Sequence, residues 1–134
     1  LDGLREMVND RGLSNQVHFH GLLDEQGIKD LLARLDIYMH ASFAETMCTS
    51  VMQAMACGLP VLASDIPGIN NITIAGENAL LFRNNDVQQV IQDLRKLSTG
   101  NLKRSMGQQG REYATRHFSS VQTFIRYNGL VSGI

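Results

Sequence analysis

Residues 42–65 read Ser42-Phe43-Ala44-Glu45-Thr46-Met47-Cys48-Thr49-Ser50-Val51-Met52-Gln53-Ala54-Met55-Ala56-Cys57-Gly58-Leu59-Pro60-Val61-Leu62-Ala63-Ser64-Asp65. Physically this is a loop, a helix, a sharp stop and a buried strand. Met47, Val51 and Met55 recur at i, i+4 and i+8, one apolar helix face. Thr46 stands where an N-cap hydroxyl accepts from an early backbone N–H. Gly58 occupies the place of a left-handed C′ residue, and Pro60 forbids continuation. A loop feeding a helix N-terminus presents free N–H groups and a positive dipole end, a generic phosphate site. Glu45, just before it, cannot bind phosphate but can accept hydrogen bonds from sugar hydroxyls. The combination suits a ligand with both a diphosphate and a sugar. A helix capped by Thr46 and packed on a sheet accounts for the same residues without a ligand.

Outward from this stretch, strands near 17–19, 37–39, 60–63 and 79–82 alternate with helices. That order predicts an α/β fold, a parallel sheet with helices on both faces. The helices are expected over 1–12, over 26–35 behind an Asp24 cap, from Asp86 with the stripe Val87, Val90, Ile91, Leu94 and Leu97, and over 102–117. The last of these is weakened by Gly107 and Gly110. Ser119 with Gln122 opens a final segment through Tyr127, with Val121, Phe124 and Ile125 as its apolar face. Pro67-Gly68 reads as a turn. Ligands of open α/β sheets sit outside the carboxyl ends of the strands, which puts His20-Gly21-Leu22 and the 40–45 loop where a ligand can touch them.

At 134 residues, one domain is expected. Hydrophobic content of 43% and charged content of 19% are those of an ordinary globule, and a net charge of −1 gives no electrostatic case for nucleic acid or an anionic membrane. No apolar run reaches the roughly 18 residues of a membrane span, and the start carries no signal-peptide pattern. Cys48 and Cys57, nine positions apart on one expected helix, would lie about 13 Å apart on opposite faces. They cannot bridge within the chain, and free thiols suit a reducing cytoplasm. His18, His20, His40 and His117 have no histidine or cysteine partner at metal-ligand spacing, so no metal is expected. Cys48 lacks a His or Asp partner in sequence and is not expected to be a nucleophile. A dinucleotide enzyme is disfavoured, since no Gly-x-Gly-x-x-Gly follows a strand.

The 42–65 stretch resembles the donor-binding signature of group 1 retaining glycosyltransferases of the GT-B fold. Their pattern runs Pro-Ser-x-x-Glu-Gly-Phe-Gly, a helix with a second Glu, then Ala-Met-Ala-x-Gly-x-Pro-Val-Val-Ala-Ser. Ser42 and Glu45 match the Ser and first Glu, and Ala54 to Ser64 match almost residue for residue. The resemblance extends from about Asp2 to Phe82. It departs at Gln53, in place of the second Glu, and at Thr46-Met47-Cys48, in place of Gly-Phe-Gly. It implies a Rossmann-like C-terminal donor domain over residues 1–134, part of a longer two-domain protein, with its first strands missing. By that resemblance Glu45 is the catalytic-site residue that holds sugar hydroxyls. The amides of Met47, Cys48 and Thr49 hold the diphosphate; Ser42 and Thr46 are further substrate-binding residues; Gln53 faces the ribose; Gly21 and Leu22 contact the base. No cofactor is implied beyond the nucleoside-diphosphate sugar itself.

The resemblance further implies a cytoplasmic enzyme of the hexosyltransferase type, set in polysaccharide or glycolipid assembly. An acceptor sugar or lipid-linked glycan would be held by the missing N-terminal domain, through which the protein could lie at the inner membrane. The chain alone would be inactive. The competing reading is a non-catalytic nucleotide-sugar-binding or interaction module, to which Gln53 and the missing glycines lean.

Overall fold

The computed structural model describes residues 1–119. The expected terminal segment with Val121, Phe124 and Ile125 lies outside the described residues. The chain divides into two compact units, Leu1–Asp30 and Leu31 onward.

In the first unit, helix α1 spans Asp2–Asp10 and helix α2 begins at Glu25, running on to Leu32. The Asp24 carboxylate accepts from the Gly27 N–H at 2.8 Å, the expected cap. The helix stops at Leu32, short of Leu35, because Arg34 and Leu35 turn back to the carbonyls of Leu31 and Leu32. Val17-His18-Phe19 is not a strand. The Gln16 and Val17 amides both turn back to the Leu13 carbonyl, at 2.8 and 3.1 Å, so the backbone enters this segment from a turn. Phe19 instead lies under the Arg5 guanidinium, 5.1 Å from its ring centroid.

The second unit is built on a three-stranded parallel sheet, β1 (Tyr38–His40), β2 (Val61–Ser64) and β3 (Ala79–Phe82), in that spatial order. Tyr38 pairs with Val61, and Val61 with Ala79, so His40, Ser64 and Phe82 finish near one edge. Helix α3 (Thr49–Ala56) links β1 to β2, and the short helix α4 (Pro67–Asn70) follows β2. Helices α5 (Val87–Ser98) and α6 (Asn101–Phe118) complete the layers. Every β2 residue is buried, as a central strand covered on both faces requires. Leu62 and Phe82 pack with Leu97 of α5 and Met106 of α6 into one core, flanked by Ile37, Leu80, Val90 and Leu94. By alternation Val61 and Ala63 point to the opposite face.

The stop of α3 is as the sequence predicts. Gly58 takes φ +77°, its N–H bonds to the Met55 carbonyl at 2.9 Å, and Leu59 bonds to Ala54 at 3.0 Å, a Schellman ending. The start is not. Cys48, not Thr46, is the N-cap, and Met47 is exposed outside the helix, because the Thr49 N–H is spent on the Met47 carbonyl in a tight turn. Val51, Ala54 and Met55 carry the buried face. Pro67-Gly68 opens a helical turn rather than a plain turn, with Pro67 at the first position, where its missing N–H costs nothing.

On α5 the expected stripe is narrower. Val90, Leu94 and Leu97 face the core, while Val87 is 64% exposed at the first turn. Asp86 caps this helix, its carboxylate accepting from the Gln89 N–H at 2.9 Å. Gln89 does not reach back to Asp86. Its amide joins the end of β3, donating to the Leu81 carbonyl at 3.0 Å and accepting from the Arg83 N–H at 3.2 Å. Asp86→Ala is expected to cost about 1 kcal/mol, read by urea unfolding, with Asp86→Asn near neutral. Helix α6 runs unbroken through both glycines, which are buried against its neighbours.

Candidate functional site

Three loops leave the carboxyl ends of the strands and are tied together. The Ser42 N–H donates to Ser64 Oγ at 3.0 Å, joining the β1 loop to the end of β2. Asn84 Nδ2 donates to the Ser42 carbonyl at 3.2 Å, joining it to the loop after β3. The Ser42 hydroxyl closes on the Ala44 carbonyl at 3.1 Å. Gly68 of α4 lies against the backbone of Glu45, so close that a Cβ there would stand 2.1 Å from the Glu45 carbonyl oxygen. Asn70 then donates to Asp65 at 2.8 Å, fixing the loop that carries Gly68.

The Glu45 backbone therefore packs closely on Gly68, and its side chain is held by hydrogen bonds. His40, the last residue of β1, places Nε2 3.1 Å from Glu45 Oε1, with both side chains largely covered. The His40 hydrogen bond first, and the Ser42 hydroxyl second, hold the Glu45 carboxyl below its ordinary range. An acceptor-only carboxylate, partly open to solvent, is the form that can take hydrogen bonds from hydroxyl groups. Burial pushes the nearby Tyr38 phenol up.

Behind Glu45, the Met52 N–H makes the first helical bond of α3, to the Cys48 carbonyl at 3.2 Å. The amides of Ser50 and Val51 in the first turn have no backbone acceptor among the described residues, so the helix start presents N–H groups as its dipole requires. These amides lie one to two residues beyond the expected Met47–Thr49 set. Thr46, Met47 and Thr49 are exposed beside them, and Cys48 is buried. Gln53 is exposed one turn further along α3. It lines a groove of about 480 Å³ with Thr49, Met52 and Ala56, closed on the other side by Ala114, Thr115 and Phe118 of α6. Gly21 and Leu22 belong to the first unit, where both are exposed.

His40 is the site residue missed by sequence reasoning. Cys48 Sγ lies 3.4 Å from the same Nε2, so the expectation that no histidine has a cysteine partner is corrected. The two are eight positions apart, but a strand end and a helix start fold them together. His40, Glu45 and Cys48 bring three donor atoms within 4.8 Å of one another, a group that could hold a metal ion. Ser64, Asn84 and Gly68 were missed too. The signal for Ser64 was a hydroxyl directly after a buried apolar run.

The sequence model of the family Glycosyl transferases group 1 matches residues 1–113. The chain belongs to this family. A glycosyltransferase of Methanocaldococcus jannaschii, itself uncharacterised, is 28% identical over 95% of this chain and 33% of its own length. The chain thus spans about a third of the length of curated relatives it matches. The C-terminal domain of the group 1 protein LpcC from Francisella tularensis superposes with a TM-score of 0.80 at 27% identity, over 89% of this chain and 62% of that one. Anabaena HepE, solved with UDP-glucose, superposes with a TM-score of 0.88 at 23% identity, over 99% of this chain and 36% of that one. The group 1 chain therefore has the Rossmann-like fold of a GT-B C-terminal domain. No helix among its described residues is long and apolar enough to cross a membrane.

Proposed function

We propose that this group 1 chain is the nucleotide-sugar donor-binding domain of a retaining glycosyltransferase, the C-terminal part of a two-domain protein. The observation that carries the reading is Glu45, held by His40 and packed against Gly68 ahead of an α-helix whose Ser50 and Val51 amides have no backbone acceptor among the described residues. In this reading Glu45 accepts from the sugar hydroxyls. The amides at the start of α3 take the diphosphate, and Gln53 meets the ribose with a neutral amide. During transfer the bond from the anomeric carbon to the diphosphate breaks, a new bond forms to an acceptor hydroxyl oxygen, and that hydroxyl's proton goes to the departing diphosphate. Negative charge builds on the leaving diphosphate, and fixed amide dipoles stabilise it without reorganising. The acceptor is held outside this chain, which alone binds donor but does not turn over.

The test is a thermal-shift panel of UDP, GDP, ADP and their sugars, on the parent and on Glu45→Ala. A ligand at one hundred times its dissociation constant stabilises by about 2.7 kcal/mol, a shift easily read. The expected result is one nucleotide that shifts both proteins and one nucleotide sugar whose additional shift is lost in Glu45→Ala. An equal response of the two proteins to every sugar would remove Glu45 from the site. No response to any nucleotide at millimolar concentration would favour an interaction module that binds no nucleotide.

A further inference from the structure

Three donor atoms of different chemistry converge from three backbone segments: the end of β1, the loop after it and the start of α3. His40 Nε2 stands 3.1 Å from Glu45 Oε1 and 3.4 Å from Cys48 Sγ. One imidazole nitrogen either carries a proton or offers a lone pair, never both. If Nε2–H donates to Glu45, the thiol has no acceptor there and turns to Ser50 Oγ, 3.3 Å away. If Nε2 accepts from the thiol, its lone pair faces a carboxylate. No arrangement of protons on a neutral imidazole makes both contacts good hydrogen bonds. A cation at the centre of the three satisfies all of them.

The geometry points to a three-ligand site for a divalent cation of the zinc class, built by His40, Glu45 and Cys48. With Zn–S near 2.3 Å and Zn–N and Zn–O near 2.1 Å, tetrahedral coordination sets neighbouring donors about 3.4–3.6 Å apart. The two observed separations are a few tenths of an ångström shorter than those edges, and the third, between Glu45 and Cys48, lies within 4.8 Å. Thiolate with imidazole selects zinc-like ions over magnesium or calcium. Three protein ligands leave a fourth position for water or another ligand. Metal-bound histidine needs a partner on its other nitrogen, and the Tyr38 phenol lies 3.5 Å from Nδ1. Cys48 is 3% exposed, so the sulfur is covered by protein before any ion arrives. Binding exchanges the thiol proton for the metal: the S–H bond breaks, the metal–sulfur bond forms, and one proton goes to solvent.

Glu45 then has two uses. A cation on Oε1 withdraws the carboxylate from sugar hydroxyls, so metal and sugar compete. That consequence rests on the proposed sugar role of Glu45, whereas metal binding itself does not.

Cobalt(II) titration of the reduced protein tests the site. One equivalent is expected to give a saturable thiolate-to-cobalt charge-transfer band in the near ultraviolet. Cys48→Ser should remove the band, His40→Ala should weaken binding at least tenfold, and Cys57→Ser should leave both unchanged. Circular dichroism checks that each variant is folded. X-ray absorption at the zinc edge of the unmutated protein needs no variant, and should show one sulfur among nitrogen and oxygen neighbours. A featureless titration, a band that survives Cys48→Ser and follows Cys57, or a zinc shell without one sulfur would each overturn the site. Zinc should also raise the apparent Kd for the nucleotide sugar more than for the free nucleotide. Equal effects, with cobalt binding intact, would reject the sugar role of Glu45 and leave the metal site standing.

Discussion

Gly107→Ala is expected to melt roughly 10 °C below the parent, although the change improves helix propensity. In an exposed helix interior, Gly to Ala gains close to 1 kcal/mol. Gly107 is different because α6 crosses the end of α3 there. A Cβ would stand 2.2 Å from the Gly58 carbonyl oxygen and 3.2 Å from its carbon. That oxygen cannot swing aside as a side-chain tip would. Gly58 is locked at φ +77°, with its own N–H and that of Leu59 bonded back to Met55 and Ala54. The helices must separate, and overpacking of this kind costs about 1–3 kcal/mol, here at the upper end because backbone must move. About 3 kcal/mol is roughly 10 °C for a domain of this size. Gly110→Ala is the control. Its Cβ would meet the Met55 side chain at an ordinary 3.6 Å, so it should be tolerated or gain slightly. Equal melting of the two variants would refute the close crossing.

The same glycine shows what a sequence hides. Glycine in a helix lowers propensity, and α6 accordingly reads as weak, yet it runs for 18 residues. Its stability comes from tertiary contacts that a one-dimensional pattern does not carry. Elements with a local cause were legible: the Gly58 stop, the Asp24 and Asp86 caps, and the apolar runs of β2 and β3. The 17–19 strand was not, because alternation over three residues marks a pleat only when a neighbour is there to pair with it. The start of α3 moved by two to three residues because Thr46 has the right chemistry for a cap, while the turn from Met47 to Thr49 decides where the helix begins. In the site, Glu45 was legible from its place before a helix. Its supports were not. His40 meets Glu45 from the end of the preceding strand and Gly68 from α4, while Ser64 and Asn84 tie its loop at Ser42, at sequence separations that no periodicity links.

Gly68→Ala is expected to abolish the sugar-dependent part of donor binding while the nucleotide part persists. Gly68 touches no sugar in the proposed pose; it acts by position. An added Cβ would sit 2.1 Å from the Glu45 carbonyl oxygen and 2.4 Å from its carbon. Real Cβ contacts essentially never fall below 3.0 Å, so one of the two loops must retreat by about 1 Å. Pro67, Ile66 and the Asn70–Asp65 bond hold the α4 side. The loop of Glu45 is tied at Ser42, but Ala44 to Thr46 carry fewer bonds, so the displacement falls on Glu45. A misplacement near 1 Å costs roughly 10²-fold where a group must meet a ligand in register. Calorimetry of parent and variant with the nucleotide and its sugar would read this as a loss in sugar affinity of that order, with the nucleotide changed by less than threefold. Gly68→Ala placed on Glu45→Ala supplies the decisive comparison. If Gly68 acts only through the Glu45 carboxylate, the second change costs nothing further in sugar binding, since coupled residues are not additive. If the losses add, Gly68 supports the ligand by another route, and the sugar contact attributed to Glu45 is not the one its loop is built to hold.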